Sequence, residues 1–258
     1  MRADLHAHTT YSDGSPLPEM CRAAEAAGLD AVGFTDHCIV VDDDFGRRER
    51  YRLVETYERR REAIERFRPR TDLTVYDAAE VSYVADAEAE TAEFLAAAGF
   101  DYTIGSVHFA GEYDYTTAAG YADASEAERR AAVERYYDAV VAAVESGLFD
   151  VLGHLDLPER MAALRGHARR EDYERVAAAL SDSSTVPEIN AGRVHDSLGR
   201  VHPDPAMLDC FRDRGVRFVL GTDSHSPAEV ERRVPALREV VDEHGVPLAE
   251  FEPAAVVR

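Results

Sequence analysis

One step recurs along the chain: a short apolar run, a helical stretch, then another apolar run. Seven runs stand out: Ala3 to His6, Ala31 to Phe34, Leu73 to Ala79, Tyr102 to Val107, Val151-Leu152, Val186 to Ile189 and Val216 to Leu220. The segments between them carry helical signals. Leu17, Met20, Ala24 and Ala27 share one face before Gly28, and an arginine-rich helix is expected from Arg50 to Phe67. Glu88 to Ala98 stops at Gly99, and Glu126 to Ser146 places Val133, Tyr137, Val140 and Val144 at helical spacing before Gly147. Helices are also expected over Ala206 to Arg214 and Ala228 to His244. Strands alternating with helices predict a parallel α/β sheet, and this length suits closure into a barrel. No repeat, low-complexity tract or linker divides residues 1–258, so one domain is expected.

Polar residues fall at telling places. His6 and His8, His37, Glu80, His108, His154, Asp223 and His225 each closely follow or close one of the runs. In α/β barrels the carboxyl ends of the strands carry the active site, so residues scattered along the chain can converge on one rim. His6-Ala7-His8 sets two imidazoles on one face of a strand, because side chains alternate with period two. Each residue alone has a structural alternative: His37 as a helix cap, Glu80 as an arginine's partner, His108 or His154 bonded to a carbonyl. Together they favour a multinuclear metal site, since buried charge is costly unless it is paired or binds metal. Imidazole with carboxylate suits zinc, manganese or iron. Asp13 is a further candidate ligand, with a turn role in Ser12-Asp13-Gly14 as its alternative. The other histidines, His167, His195, His202 and His244, lie away from the strand ends.

Composition removes several classes. The formal charge is −21, and all 29 basic residues are arginine. A field this negative repels nucleic acid and anionic membranes, and it matches adaptation to a high-salt, halophilic cytoplasm. No stretch approaches the roughly 18 apolar residues of a membrane span. Met1 to His6 lacks the basic and apolar regions of a signal peptide, so a cytoplasmic protein is expected. Cys21, Cys38 and Cys210 are scattered and odd in number, which speaks against a disulfide framework. Cys38 follows His37 directly and is read as a small buried hydrophobe. Oligomeric state is not legible.

The segment Asp4-Leu5-His6-Ala7-His8-Thr9-Thr10-Tyr11-Ser12-Asp13-Gly14 resembles the opening motif of the PHP (polymerase and histidinol phosphatase) superfamily. Phe34-Thr35-Asp36-His37 resembles its second motif, and Gly221-Thr222-Asp223-Ser224-His225 its last. Ala79 to Tyr83, Ile104 to Phe109, Gly153 to Leu157, Glu188 to Asn190 and Val219 to Gly221 are most similar to monofunctional histidinol-phosphate phosphatases. The resemblance covers roughly Arg2 to Glu229. It implies a distorted (β/α)7 barrel with the metal site at the carboxyl ends of the strands. It further implies two to three divalent ions: one on His6, His8, Glu80 and Asp223, one on Asp13, His37 and His225, and one on His108 and His154 with Glu80 as bridge. Glu80, Asp223 and His225 are then the catalytic candidates.

The implied activity is metal-dependent hydrolysis of a small phosphate ester, histidinol phosphate, in histidine biosynthesis. Clustered divalent ions activate water and neutralise phosphate charge during in-line displacement. No GxSxG elbow or Walker loop offers another route. Guanidinium matches phosphate with two parallel hydrogen bonds. Arg160 follows the His154 segment, and Arg193 and His195 lie in the long loop from Ala191 to Pro203, so these three are the phosphate-binding candidates. The family sets its loop arginine in a Gly-Leu-Arg-like context, where this chain has His195, with Arg193 two residues earlier. The loop Gly111 to Ser125 has no clear role, although Glu112 and Asp114 could face a cationic substrate. Three alternatives stay open: a PHP phosphoesterase for nucleotides or other small esters, a non-catalytic PHP module, and an amidohydrolase barrel. The last commonly uses a carboxylated lysine, which a chain without lysine cannot supply; variants using glutamate remain.

Overall fold

The computed structural model describes residues 1–41, 53–118, 120–251 and 253. The expected start of the second helix, at Arg50, lies outside them. Parallel strands covered on both faces read as apolar runs. The first is β1 (Ala3–Ala7), which pairs with β2 (Ala31–Phe34), which pairs in turn with β4 (Thr74–Asp77). After short breaks the chain continues as β3 (His37–Cys38) and β5 (Ala79–Ser82). These pair with each other, and the ladder runs on through β6 (Thr103–Ser106), β9 (Val151–Leu152), β10 (Val186–Asn190) and β11 (Val219–Gly221). Every one of these pairings is parallel. A small antiparallel hairpin, β7 (Phe109–Ala110) and β8 (Tyr113–Asp114), stands apart.

The ring closes between its first and last strands. Ala7 and Ser224 form a parallel bridge; Asp223 N–H donates to His6 O at 2.7 Å and His8 N–H to Ser224 O at 2.9 Å. The buried Asp4 carboxylate fastens the seam by accepting from Thr222 N–H (2.8 Å) and Thr222 Oγ1 (2.6 Å). The architecture is therefore the expected α/β barrel.

Seven helices among the described residues cover the ring: α1 (Leu17–Ala26), α2 (Leu53–Phe67), α3 (Glu88–Ala98), α4 (Glu126–Glu145), α5 (Arg170–Ser181), α6 (Pro205–Asp213) and α7 (Pro227–His244). Their starts follow local chemistry. Ser125 and Glu128 form a capping box on α4, satisfying N–H groups that a helix start leaves unpaired. Val133, Tyr137, Val140 and Val144 then face the core, as their spacing predicts.

Two elements differ from the sequence reading. The run Leu73 to Ala79 was expected as one strand, but it breaks at Ala78. The buried Arg60 of α2 accounts for this: its guanidinium bonds Asp77 Oδ1 (2.8 Å) and also takes Ala78 O. Glu80 consequently sits inside β5 rather than beyond a strand end. The run expected from Val216 forms strand only from Val219, and Phe218 bonds Pro247 and Ala249 instead.

Inside the ring, Leu5, Ala78, Tyr102, Ile104, Val151 and Val219 form an apolar cluster. Ile104 precedes Ser106 by two residues on the same strand face, so this cluster lies one layer below the polar rim. Gly105 faces the other way, where the Phe149 ring covers it so closely that an added Cβ would lie 2.3 Å from Phe149 Cδ2. Gly105→Ala is expected to destabilise the fold by about 1–3 kcal/mol through overpacking. A lowered urea midpoint with unchanged m-value will show this.

Candidate metal centre

Glu80 is the hub of the rim and is almost wholly buried. Its Oε1 accepts from Ser106 Oγ (2.7 Å) and lies 2.9 Å from His154 Nε2 and 3.5 Å from His108 Nε2. Its Oε2 lies 2.6 Å from His37 Nδ1, 3.5 Å from His6 Nε2 and 3.7 Å from His8 Nε2. Asp223 stands opposite, with Oδ1 3.3 Å from His8 Nε2 and 3.8 Å from His6 Nε2. Farther out, Asp13 Oδ1 is 3.3 Å from His225 Nε2 and 3.8 Å from His37 Nε2. The structure thus gathers all nine ligand candidates named from the sequence.

Donor atoms converge in three overlapping groups, each fitted to one cation: His6, His8 and Glu80; His8, Asp13, His37 and His225; His37, Glu80 and His108. His37 bridges the last two, whereas the resemblance placed it with Asp13 and His225 alone. The first group is fully buried; its His6 Nε2 and His8 Nε2 have no hydrogen-bond partner, and Glu80 Oε2, although 2.6 Å from His37 Nδ1, makes no well-aligned hydrogen bond. Buried polar atoms are rarely left so. A divalent cation among them satisfies all three, so the residues fit a metal.

The surroundings set each imidazole for this role. Glu188 Oε1 lies 2.8 Å from His6 Nδ1, and the Asp223 carbonyl 3.0 Å from His225 Nδ1. An acceptor at Nδ1 fixes the proton there and turns the Nε2 lone pair toward the cluster. Ser82 Oγ lies 2.9 Å from His108 Nδ1. Burial, with His225 and His37 nearby, lowers the pKa of His8 to about 4; burial does the same for His154. Burial would raise the pKa of Glu80, but His37 and His6, with hydrogen bonds from His108 and His154, outweigh it and hold the carboxyl well below its usual range. Asp223 is likewise held ionised against burial by His6, His8 and His225. Cys38 faces the core, and burial pushes its thiol up to about 12.

The backbone is bent to deliver two of these side chains. Among the described residues, the non-glycine positions with positive φ are His154 (27°) and Asp223 (52°). Such conformations are strained and persist where the surroundings hold them. Here Glu188 Oε2 accepts His154 N–H at 3.2 Å, and Arg233 Nη1 donates to Asp223 O at 2.6 Å. Gly192 lets the chain pass beside Asp223, where a Cβ would stand 2.4 Å from Asp223 Oδ2.

The rim opens into a cavity of about 680 Å³ lined by Asp13, His37, Glu80, His108, His154, Asp223 and His225. Arg160 and Arg193 also line it, with Leu157, Met161, Tyr115 and Thr116. Arg160 closes the short turn Leu157–Arg160, donates through Nε to His202 Nε2 (3.1 Å), and reaches Asp223 Oδ2 at 3.4 Å. Arg193 is half-exposed and pairs with Asp196 at 2.9 Å. His195 does not line the cavity; its exposed ring lies against Arg232 O. Glu112 and Asp114 do not line it either, and Asp114 Oδ1 accepts from Thr116 within its own turn.

Sequence reasoning passed over three functional neighbours. Glu188 supports both His6 and His154. Asp156 and His202 form a buried carboxylate–imidazole pair behind Arg160. His202 was set aside as lying away from any strand end. It returns because the Ala191–Pro203 loop folds back, exchanging two backbone bonds between Asn190 and His202.

A model of the PHP domain matches residues 4–190. The chain belongs to the PHP domain family. A relative from Deinococcus radiodurans named "Probable histidinol-phosphatase" is 29% identical over 94% of both chains. Another of that name, from Thermotoga maritima, is 24% identical over 90% of this chain and 87% of its own. A crystal structure of histidinol phosphate phosphatase from Lactococcus lactis, complexed with zinc, L-histidinol and phosphate, shares the fold with a TM-score of 0.75. It is 22% identical and covers 98% of this PHP chain and 97% of its own.

Two outcomes are expected of this centre. Zinc or manganese at 100 times its Kd stabilises a one-site protein by about 2.7 kcal/mol, so chelation should lower Tm and added metal restore it. Glu188→Ala should weaken metal binding by about 10–100-fold, because His6 and His154 lose their support. Competition with a chelator measures that loss.

Proposed function

We propose that this PHP protein is a metal-dependent phosphomonoesterase that hydrolyses histidinol phosphate to histidinol and phosphate, a step of histidine biosynthesis. The observation that carries the reading is the rim itself: buried Nε2 and carboxylate atoms without hydrogen bonds, converging beside an arginine at the mouth of a cavity. The shared name of the two relatives supplies the substrate.

His6, His8, Glu80 and Asp223 would hold one ion, and Asp13, His37 and His225 a second. His108 and His154, with Glu80, would hold a third. Two to three zinc, manganese or iron ions are the proposed cofactors. Bound there, they supply activation of water and neutralisation of phosphate charge. The chain's own groups do the rest. Arg160, its guanidinium braced by His202 and Asp223, binds phosphate oxygens at the cavity wall. Arg193 sits on the same wall and can swing from Asp196 to the phosphate. Leu157 and Met161 present apolar surface that excludes bulk water. Asp223 is held ionised against burial by His6, His8 and His225, as a carboxylate ligand must be. His195 has no place in this scheme, since it lies outside the cavity. No helix among the described residues is long and apolar enough to cross a membrane. A salt-rich cytoplasm, which screens the −21 charge, fits an acidic chain without lysine.

The substrate is tested by comparing kcat/KM for histidinol phosphate and for 3′-phosphorylated nucleotides, with manganese or zinc, at low and high salt. Faster nucleotide turnover would overturn the substrate while leaving the phosphoesterase. Glu80→Ala is expected to reduce activity by more than about 1000-fold and to lower the metal content, because its carboxylate belongs to two of the three donor groups. A normal rate and metal content in that variant would refute the hub assignment.

A further inference from the structure

Asp36 precedes His37 and is wholly buried, yet it faces away from the metal groups. Its two oxygens take four donors. Oδ1 accepts from Thr9 N–H (2.7 Å) and Ser12 Oγ (2.8 Å); Oδ2 accepts from Thr9 Oγ1 (2.7 Å) and Arg60 Nη1 (3.0 Å). Arg60 is itself wholly buried, and its remaining donors are taken by Asp77 and Ala78 O. The Phe100 ring lies 5.6 Å from its guanidinium carbon. A dry charged cluster of this kind stabilises a fold little more than apolar packing would, so its value lies in fixing orientation.

What it orients is the loop that carries Asp13. Thr9 and Ser12 belong to the turn from β1 to α1, whose backbone bonds run from Ser12 N–H and Gly14 N–H to Thr9 O. Asp13 projects from this turn with 37% of its side chain exposed, and His225 opposite is 30% exposed. His6 and Glu80 of the inner group stand on β1 and β5 within the core; His8, just past β1, belongs to both groups, and Ser12 Oγ lies 3.4 Å from its Nδ1.

We propose that Asp36, held by Arg60, is a positioning residue for the outer cation group: it pins the Thr9–Ser12 turn so that Asp13 meets His37 and His225, and so sets the affinity of the outer site more strongly than that of the inner site, with which it shares His8. This rests on the metal-binding reading above, and the experiment separates the two. Zinc alone is titrated into metal-free full-length protein by calorimetry with competing chelators, and Tm is followed in parallel. Asp13→Ala is the control and should abolish one binding phase. If it leaves all phases intact, the ligand reading itself fails.

With the control as expected, Asp36→Asn should weaken that same phase by about 10–100-fold and every other phase by much less. Asp36→Asn removes charge from a buried cluster and can cost folding, so Ser12→Ala and Thr9→Val provide the gentler arm. Thr9→Val deletes the hydroxyl bond to Asp36, and Ser12→Ala deletes a bond to Asp36 together with the Ser12 contact to His8 Nδ1; each should weaken the outer phase by about fivefold with a Tm close to wild type. Unchanged zinc binding in folded Ser12→Ala and Thr9→Val would overturn the proposal, whatever Asp36→Asn does. Equal weakening of both phases would overturn it too, since that is the mark of general loosening.

Discussion

A carboxylate buried among five imidazoles is the constraint on which the rest of this molecule depends. Glu80 is 1% exposed and has His6, His8, His37, His108 and His154 within 3.7 Å of one oxygen or the other. Such a group cannot be stable as an isolated charge in a protein interior. The imidazoles in turn cannot crowd together as cations. Divalent ions resolve both demands, since they need ionised carboxylate and neutral imidazole nitrogen together. The lowered pKa of His8 and His154 and the depressed pKa of Glu80 go with that protonation state, whereas neighbouring carboxylates raise the pKa of His6, His37 and His225 against burial, so a bound metal must displace those protons.

Holding this arrangement requires rigid elements and a few local distortions. Parallel strands place ligands at one end of a closed ring, and the seam between β1 and the Thr222–Ser224 segment brings the first and last motifs together. Where a strand alone does not aim a side chain well, the backbone leaves the ordinary regions. His154 and Asp223 do so, and Glu188 and Arg233 hold them there. The break at Ala78 serves similarly, because it lets β5 pair with β3 in a register that sets Glu80 against His37. Strain and buried charge thus gather around the centre, as expected where geometry is held for chemistry.

The site is graded from inside to outside. His6 and His8 are sealed in the core, while Glu80, Asp13, His37 and His225 line the cavity. The arginines follow the same grading. Arg160 is fixed by His202 and Asp223, and Arg193 is half-exposed with a surface partner. The cavity wall thus carries one exposed guanidinium held by a surface carboxylate and one largely buried beside Asp223.

The sequence by itself determined the alternation of strands and helices, and hence the barrel, because hydrophobic period and helix-stop residues are local signals. It also determined the nine rim candidates, because ligands at strand ends remain close in sequence to the runs that carry them. Resemblance of short motifs added a grouping of those candidates around three ions. Only the tertiary structure decided what lies behind the ligands. Glu188 meets His6 across 182 positions, and His202 meets Asp156 across 46. Nothing local marks such pairs, since each is a polar residue in an apolar neighbourhood until the ring closes. The same holds for Arg60, one arginine among 29, whose burial follows from packing α2 over the break at Ala78. His195 shows the converse. Its place in the loop pointed toward the cavity, but the fold-back that buries His202 leaves His195 on the outside.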